Sequence, residues 1–338
     1  MVTNARQRFM VVGGNFYGRG AEAMMLTVRN AVRQAMPQAV LCATPDHGGQ
    51  AAAYREQGFV PIIRRKALKP VRALNKLGRI IGFLPGGRVE PESVPPEGIV
   101  NPYRASDAVI DIAGFASGDT WGARRAFARW QQFRMARLAG NRYVFMPQSW
   151  GPFEDKWTAR FTRWIVTKAG LVCARGQISY DYLMGLGGLN PDKIIVSPDI
   201  AFQFAPSQPE AGGRVLERQG FDTSGAPIVG ITPNMRIYER TKGEGSDNAY
   251  VRLLAEAMQR LLDSTDCRIA LIPHEVYDSR PDDRTICQIL SANVGGKRRV
   301  RSLSGLETAA DLKAAIGRMA FLIASRYHSL VAARHGYA

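Results

Sequence analysis

Short apolar runs alternate along this chain with longer stretches in which apolar residues recur every three or four positions. That alternation of period 2 and period 3.6 predicts strands joined by crossover helices, hence a parallel sheet. Strands are expected at Phe9 to Val12, Ala39 to Ala43, Ala108 to Ile112, Tyr143 to Met146, Leu171 to Ala174 and Ile194 to Val196. Helical patterns fill the gaps at Ala21 to Ala35, Ala123 to Ala139 and Trp157 to Lys168. The stretch from Phe204 to Gly225 is rich in Pro, Gly, Ser and Ala and reads as a connection. Strands resume at Ile228 to Thr232, Ile269 to Ile272 and Phe321 to Ala324, with helices at Tyr250 to Leu262 and Ala309 to Met319. The simplest account is two α/β Rossmann-like lobes, residues 1–205 and 226–338, linked by 206–225.

With 338 residues, 46% hydrophobic and 22% charged, the chain has the composition of a folded protein with room for both lobes. No stretch approaches the roughly 18 consecutive apolar residues of a membrane span. The first apolar run leads into glycines and not into a small-residue cleavage site, so it reads as a strand, and a cytoplasmic location is the expectation. Cys42, Cys173, Cys267 and Cys287 are far apart in sequence and predict buried thiols, with neither a zinc site nor a disulfide framework.

The formal net charge of +16 implies an anionic partner without saying which. Between Glu56 and Glu90 no acidic residue occurs, while Arg64, Arg65, Lys66, Lys69, Arg72, Lys76, Arg79 and Arg88 do. Leu68, Val71, Leu74, Leu77, Ile81 and Leu84 give this window an apolar stripe, so it is either a helix with a solvated basic face or one that lies on an anionic membrane. After Asp119, arginines interleave with Trp121, Phe127, Trp130 and Phe133. Such a pattern can bind single-stranded nucleic acid, but the helical spacing of the aromatics points them at the core, which makes nucleic acid the weaker reading.

The candidate chemistry sits just beyond strand ends, where loops of an open parallel sheet diverge and helix N-termini converge. The first group is GGNFYGRGAEAMM, Gly13 to Met25: a strand, glycines, then a helix, with Gly14 and Asn15 offering amides to an anion or a sugar hydroxyl. It lacks both the dinucleotide fingerprint and the Lys-Ser/Thr of a phosphate loop. MPQSWGPF follows the next strand end and places Gln148 and Ser149 there; Arg175 ends another, suited to a forked grip on carboxylate or phosphate. Asp199, in SPD, suits either a turn cap or a ligand contact. In the second lobe Asn234, with Arg236 nearby, and His274, with Glu275, follow strands. In FLIASRYHSLVAARHG a strand delivers Ser325, Arg326 and His328 to a helix start, an arginine for an anion beside an imidazole able to move a proton near neutral pH. His47 and His335 have no such context.

These pieces, together with QISYDYL, SPDIAF, GITPN and LIPH, occur in an order that resembles the polysaccharide pyruvyl transferase family, from Gly13 to Gly336. The resemblance implies two GT-B-like lobes and transfer of a pyruvyl group from phosphoenolpyruvate, as a ketal, to a sugar of an exopolysaccharide or cell-envelope glycan. The acceptor would be a sugar or lipid-linked oligosaccharide, engaged by the N-terminal lobe; the membrane reading of the basic window, where it holds, would put the cytoplasmic protein at the inner face of the plasma membrane. It implies that Arg326 and His328, on the donor side, bind or protonate the donor, that Arg175 is a second anion-holding arginine, and that neither metal nor nucleotide cofactor is used. The family's chains continue past the Ser-Arg-x-His helix, so the second lobe is expected to be incomplete, and turnover correspondingly poor. Two alternatives stay open: a nucleotide-sugar glycosyltransferase on the same scaffold, although no acidic residue is clearly placed to grip a ribose, and a non-catalytic basic binding module.

Overall fold

The computed structural model describes residues 7–45, 50–63, 101–205, 211–277, 280–295, 298–303, 305, 306 and 308–333. The basic window with Arg64, Arg65 and Lys66 therefore lies outside the described residues, as do His47 and His335. The chain divides into two units, one of Met1–Asn15 and Met25–Ile200, the other of Phe16–Met24 and Ala201–Ala338.

In the first unit, strands β1 (Arg8–Val12), β2 (Val40–Ala43), β3 (Val60–Pro61), β4 (Ala108–Asp111), β5 (Phe115–Ser117), β6 (Arg142–Trp150), β7 (Leu171–Ala174) and β8 (Ile194–Val196) form one parallel sheet. Its order is β3-β2-β1-β4-β6-β7-β8, with β5 on β6. Helix α1 (Arg19–Ala35) follows β1, and its residues from Met25 onward belong here. The other helices are α2 (Ala51–Glu56), α3 (Gly122–Leu138), α4 (Lys156–Lys168) and α5 (Gln177–Gly185). Helix α4 starts where the Asp155 carboxylate accepts from the amides of Trp157 and Thr158, a side-chain cap. Helix α3 buries Ala126, Arg129, Phe133 and Ala136, spaced to share one face. Phe133 packs against Tyr143 and Phe145 of β6, ring centroids 4.8 and 6.1 Å away, and truncating such a ring to Ala costs about 3–5 kcal/mol. Phe127 and Trp130 are half-buried and stacked, whereas Trp121, just before the helix, is 48% exposed. The core placement expected for these aromatics thus holds for Phe133 and fails for Trp121.

Strand β6 runs well past Met146, where the apolar pattern ends. The reason is tertiary: β5 pairs with Ser149 and Trp150, the Ser149 amide donating 2.7 Å to the carbonyl of Gly114. Gln148 and Ser149 accordingly lie inside a strand and not beyond its end.

The second unit has a four-stranded parallel sheet of β9 (Ile228–Thr232), β10 (Arg268–Leu271), β11 (Val300–Ser302) and β12 (Phe321–Ala324), in the order β11-β10-β9-β12. Its helices include α6 (Ala211–Arg218), α7 (Met235–Arg240), α8 (Ala249–Ser264), α9 (Asp283–Asn293), α10 (Ala309–Ile316) and α11 (Tyr327–Ala333). Every residue of β9 is buried, as expected of a strand covered on both faces. Val229, Ile231, Ile269 and Leu271 point to a layer containing α8 and α9, while Ile228, Ala270 and Ile272 point to one containing α6 and α10. The expected connection 206–225 is thus partly core: Val215, Leu216 and Phe221 are buried in that second layer, because α6 sets an apolar face against α10.

The four cysteines are buried and free of disulfides. Among the described residues no helix is long and apolar enough to cross a membrane.

Candidate functional site

In the second unit β9 is the first strand in sequence, with β10 on one side and β12 on the other. The sheet thus reverses direction of growth between β9 and β12, and a crevice opens at the carboxyl ends of such a pair. Asn234, past β9, spans it: its side-chain amide donates 2.8 Å to the carbonyl of Ser325, past β12. Its oxygen accepts from the Arg236 amide and caps α7, and its own amide donates to the Tyr250 hydroxyl. Arg236 itself points outward beside Glu239.

Behind the crevice lies Asp283, at the start of α9 and fully buried. It accepts the backbone amides of Met235, His274 and Glu275, one from the segment after β9 and two from that after β10. Arg326 completes the cluster with Nε 3.1 Å from one carboxylate oxygen and Nη2 2.5 Å from the other, a forked charge-assisted pair. Its Nη1 lies 3.1 Å from Glu275, the more exposed of its two acids. Burial opposes the Arg326 charge, but its bonds to Asp283 and Glu275 outweigh that and raise its pKa. One buried carboxylate therefore ties the segments after β9 and β10 to the Ser-Arg-x-His turn.

His328, in the first turn of α11, stacks with His274 at 6.3 Å between ring centroids and 25° between planes. His274 is buried, and burial, with the charges of His328, Arg326 and Arg19, drives its imidazole well below the ordinary histidine range. It is neutral at pH 7, so no second positive ring lies against His328. Arg19 belongs to this unit through residues 16–24; its amide donates to the His274 carbonyl and its guanidinium pairs with Glu22 at 2.8 Å. Glu22 is buried and also accepts the Ala309 amide at the start of α10. Gly20 has a steric reason to be glycine, since a Cβ there would fall 2.2 Å from Cγ of His328. The first glycine motif is thus packed against the last motif of the sequence.

In the first unit the sheet reverses between β1 and β4, and Gly13, Gly14 and Asn15 of the same motif lie at that point. Gly13 has φ +84°, and a Cβ on it would lie 2.6 Å from the Ala113 amide nitrogen, so only glycine fits. Asp111, at the end of β4, accepts from Arg129 at 3.1 Å, Tyr143 at 2.8 Å and Gln148 at 2.9 Å. Gln148 is completely buried and orients this carboxylate from below. Burial and the neighbouring Asp111 raise the Tyr143 phenol well above its usual pKa. Ser149 accepts from Arg175 at 2.6 and 3.0 Å, and the remaining arm of Arg175 lies 2.6 Å from buried Asp199. Arg175 is thus already forked onto protein groups. Asp199 is its counter-ion.

Sequence reasoning brought Asn234, His274, Ser325, Arg326 and His328 to one crevice, and Gly14 and Asn15 to the other unit's. It passed over Asp283, Arg19, Glu22, Asp111 and Arg129. Asp111 had a usable signal, a carboxylate at the end of an otherwise apolar strand. Asp283 had another, an acidic pair opening an apolar-periodic helix.

Comparison with known proteins bears on the whole chain. Two solved structures described as UDP-N-acetylglucosamine 2-epimerases share the fold. The one from Listeria monocytogenes gives TM-score 0.53 at 13% identity over 94% of this chain and 74% of that one. The one from Neisseria meningitidis, solved with UDP-GlcNAc, gives 0.52 at 10% over 95% and 78%. Anabaena HepE, solved with UDP-glucose, gives 0.53 at 11% over 94% and 73%. At such identities the likeness is one of fold, GT-B-like, with each unit built on its own parallel sheet. No curated protein matches the sequence. The family model for polysaccharide pyruvyl transferases matches residues 19–334, so this chain belongs to that family of polysaccharide-modifying transferases.

Proposed function

We propose that the chain transfers a pyruvyl group from phosphoenolpyruvate to two hydroxyls of a sugar in an exopolysaccharide or envelope glycan. The observation that carries this reading is the gathering of Arg19, His274, Arg326 and His328 at the β9–β12 crevice, in a chain of this family. Phosphoenolpyruvate presents a carboxylate and a phosphate, both matched by guanidinium groups. Asp283 holds Arg326 rigid, and Nη1, which faces the more exposed Glu275, is the edge that a substrate anion takes over.

His328 then donates a proton to the methylene carbon of the donor, leaving positive charge on the adjacent carbon. A sugar hydroxyl bonds to that carbon and gives up its proton. The carbon–oxygen bond to phosphate breaks, phosphate leaves with its electron pair, and a second hydroxyl closes the ketal. Of the two hydroxyl protons, one restores His328 and the other leaves on phosphate. The scheme calls on neither metal nor nucleotide cofactor.

The test is protection against heating and turnover in the same preparation. Phosphoenolpyruvate should raise the unfolding temperature where UDP- and GDP-sugars do not. His328→Ala should lower pyruvyl transfer by about two to four orders of magnitude while the unfolding temperature holds. Protection by nucleotide sugars alone, or unchanged turnover in the variant, would overturn the reading.

A further inference from the structure

The β1–β4 reversal of the first unit opens into a cavity of about 400 Å³. That is the lower part of the roughly 300–1,000 Å³ range of small-molecule sites, at a position where open parallel sheets bind ligands. Gly13, Gly14 and Ala113 are among the residues that line the cavity. Its polar groups include Asn15, Asp111 and Gln132. Its mouth carries an aromatic pair, Phe115 and Trp121, 43% and 48% exposed and 5.7 Å apart. Two adjacent rings beside polar groups give the cavity the apolar, aromatic lining common to small-molecule sites.

The charge is equally specific. Asp111 is cancelled by Arg129 at 3.1 Å, which leaves that pair neutral. Arg125 lines the same cavity one helical turn before Arg129, is exposed, and among the described residues has no carboxylate in ion-pair range. Among the described residues the cavity therefore combines the Arg125 guanidinium, hydrogen-bonding groups and an aromatic face.

We propose that this cavity binds an anionic saccharide, a hexose ring bearing a carboxylate or a phosphate. The ring stacks on Trp121, its hydroxyls meet Asn15, Asp111 and Gln132, and its anionic group meets Arg125. Under the function proposed above the ligand is part of the acceptor glycan, and in that sense the assignment rests on it. The binding chemistry, however, does not involve the donor.

The experiment is calorimetric titration of the chain at low salt with glucuronic acid, glucose 1-phosphate, glucose and inorganic phosphate, beside Arg125→Gln and Trp121→Ala. The first two ligands separate a carboxylate from a phosphate as the anionic group. At least one charged sugar should bind about tenfold or more tighter than glucose and than phosphate. Arg125→Gln should bring that sugar down to the level of glucose, and Trp121→Ala should weaken it while phosphate is unaffected. Phosphoenolpyruvate protection should be the same in both variants. If glucose binds as well as both charged sugars, or phosphate alone binds as well as they do, or Arg125→Gln changes nothing, the assignment is wrong. Absence of phosphoenolpyruvate protection in every protein would instead sink the donor reading and leave this one standing.

Discussion

Arg326 forks onto Asp283, with Nε and Nη2 at 3.1 and 2.5 Å from the two carboxylate oxygens, across 43 residues of sequence. The pair is buried, and removing one partner of a buried ion pair strands the other's charge. Asp283→Asn should therefore destabilise the chain by about 3–5 kcal/mol, whereas Glu275→Gln should cost less than about 1 kcal/mol because water reaches that side. Denaturant unfolding of both variants measures this. Equal, small losses would show that the fork holds nothing together. By the same reasoning Arg326→Ala loses stability as well as donor affinity, and its kinetics must be read with its unfolding curve.

Gly20 and His328 are in contact at a spacing that admits no side chain. Gly20→Ala should displace the imidazole and lower turnover by about a hundredfold, in the range that misplacement of a catalytic group produces. Gly185→Ala, where an added Cβ meets nothing within 4 Å, is the control and should leave turnover unchanged. Equal activity in the two variants would mean that the position of the ring does not matter.

His274 makes the chain sensitive to acid. Burial and the charges of His328, Arg326 and Arg19 depress its folded pKa well below the ordinary value of 6.5. Below pH 6.5 the unfolded chain takes up a proton that the folded one refuses, so stability present above that pH is lost as the pH falls. The contribution of this one group has a slope of at most about 1.4 kcal/mol per pH unit. His274→Asn should flatten the stability profile between pH 6.5 and 5, as unfolding at a series of pH values would reveal. A parallel profile would exclude the histidine as the source.

Lys313 acts at the other end of the scale. It is buried on α10 and its ammonium donates to the carbonyls of Ala201 and Phe204. Burial lowers its pKa from 10.5 to about 8. Between those two values the unfolded chain holds the proton and the folded chain does not, so this group makes stability rise from pH 8 to pH 10.5. Lys313→Met should remove that rise. If the variant keeps it, another group is responsible.

Much of the architecture could be read from the chain alone. The strands Leu171–Ala174, Ile194–Val196, Ile228–Thr232 and Phe321–Ala324 fall where short apolar runs predict them, although only Ile228–Thr232 is buried throughout and the edge strands leave Ile195, Val196 and Phe321 exposed. The strand-end rule then placed Asn234, His274 and the Ser325–His328 turn on one edge of one sheet, because chain direction and strand order fix which loops share an edge. Local pattern could not supply the partners. That Arg175 belongs to Asp199, Arg326 to Asp283, and Gln148 to Asp111 depends on which strands lie side by side, and hydrogen-bond register carries no signature in the residues themselves. The same holds for β6, prolonged to Trp150 only because β5 lies against it, and for Gly20, whose missing side chain is explained by a histidine at the far end of the polypeptide. Periodicity records burial, which is local to each segment. Pairing is a property of the folded arrangement, and there the tertiary structure alone decided which charges were already spoken for and that Arg125, without a carboxylate partner among the described residues, faces a cavity.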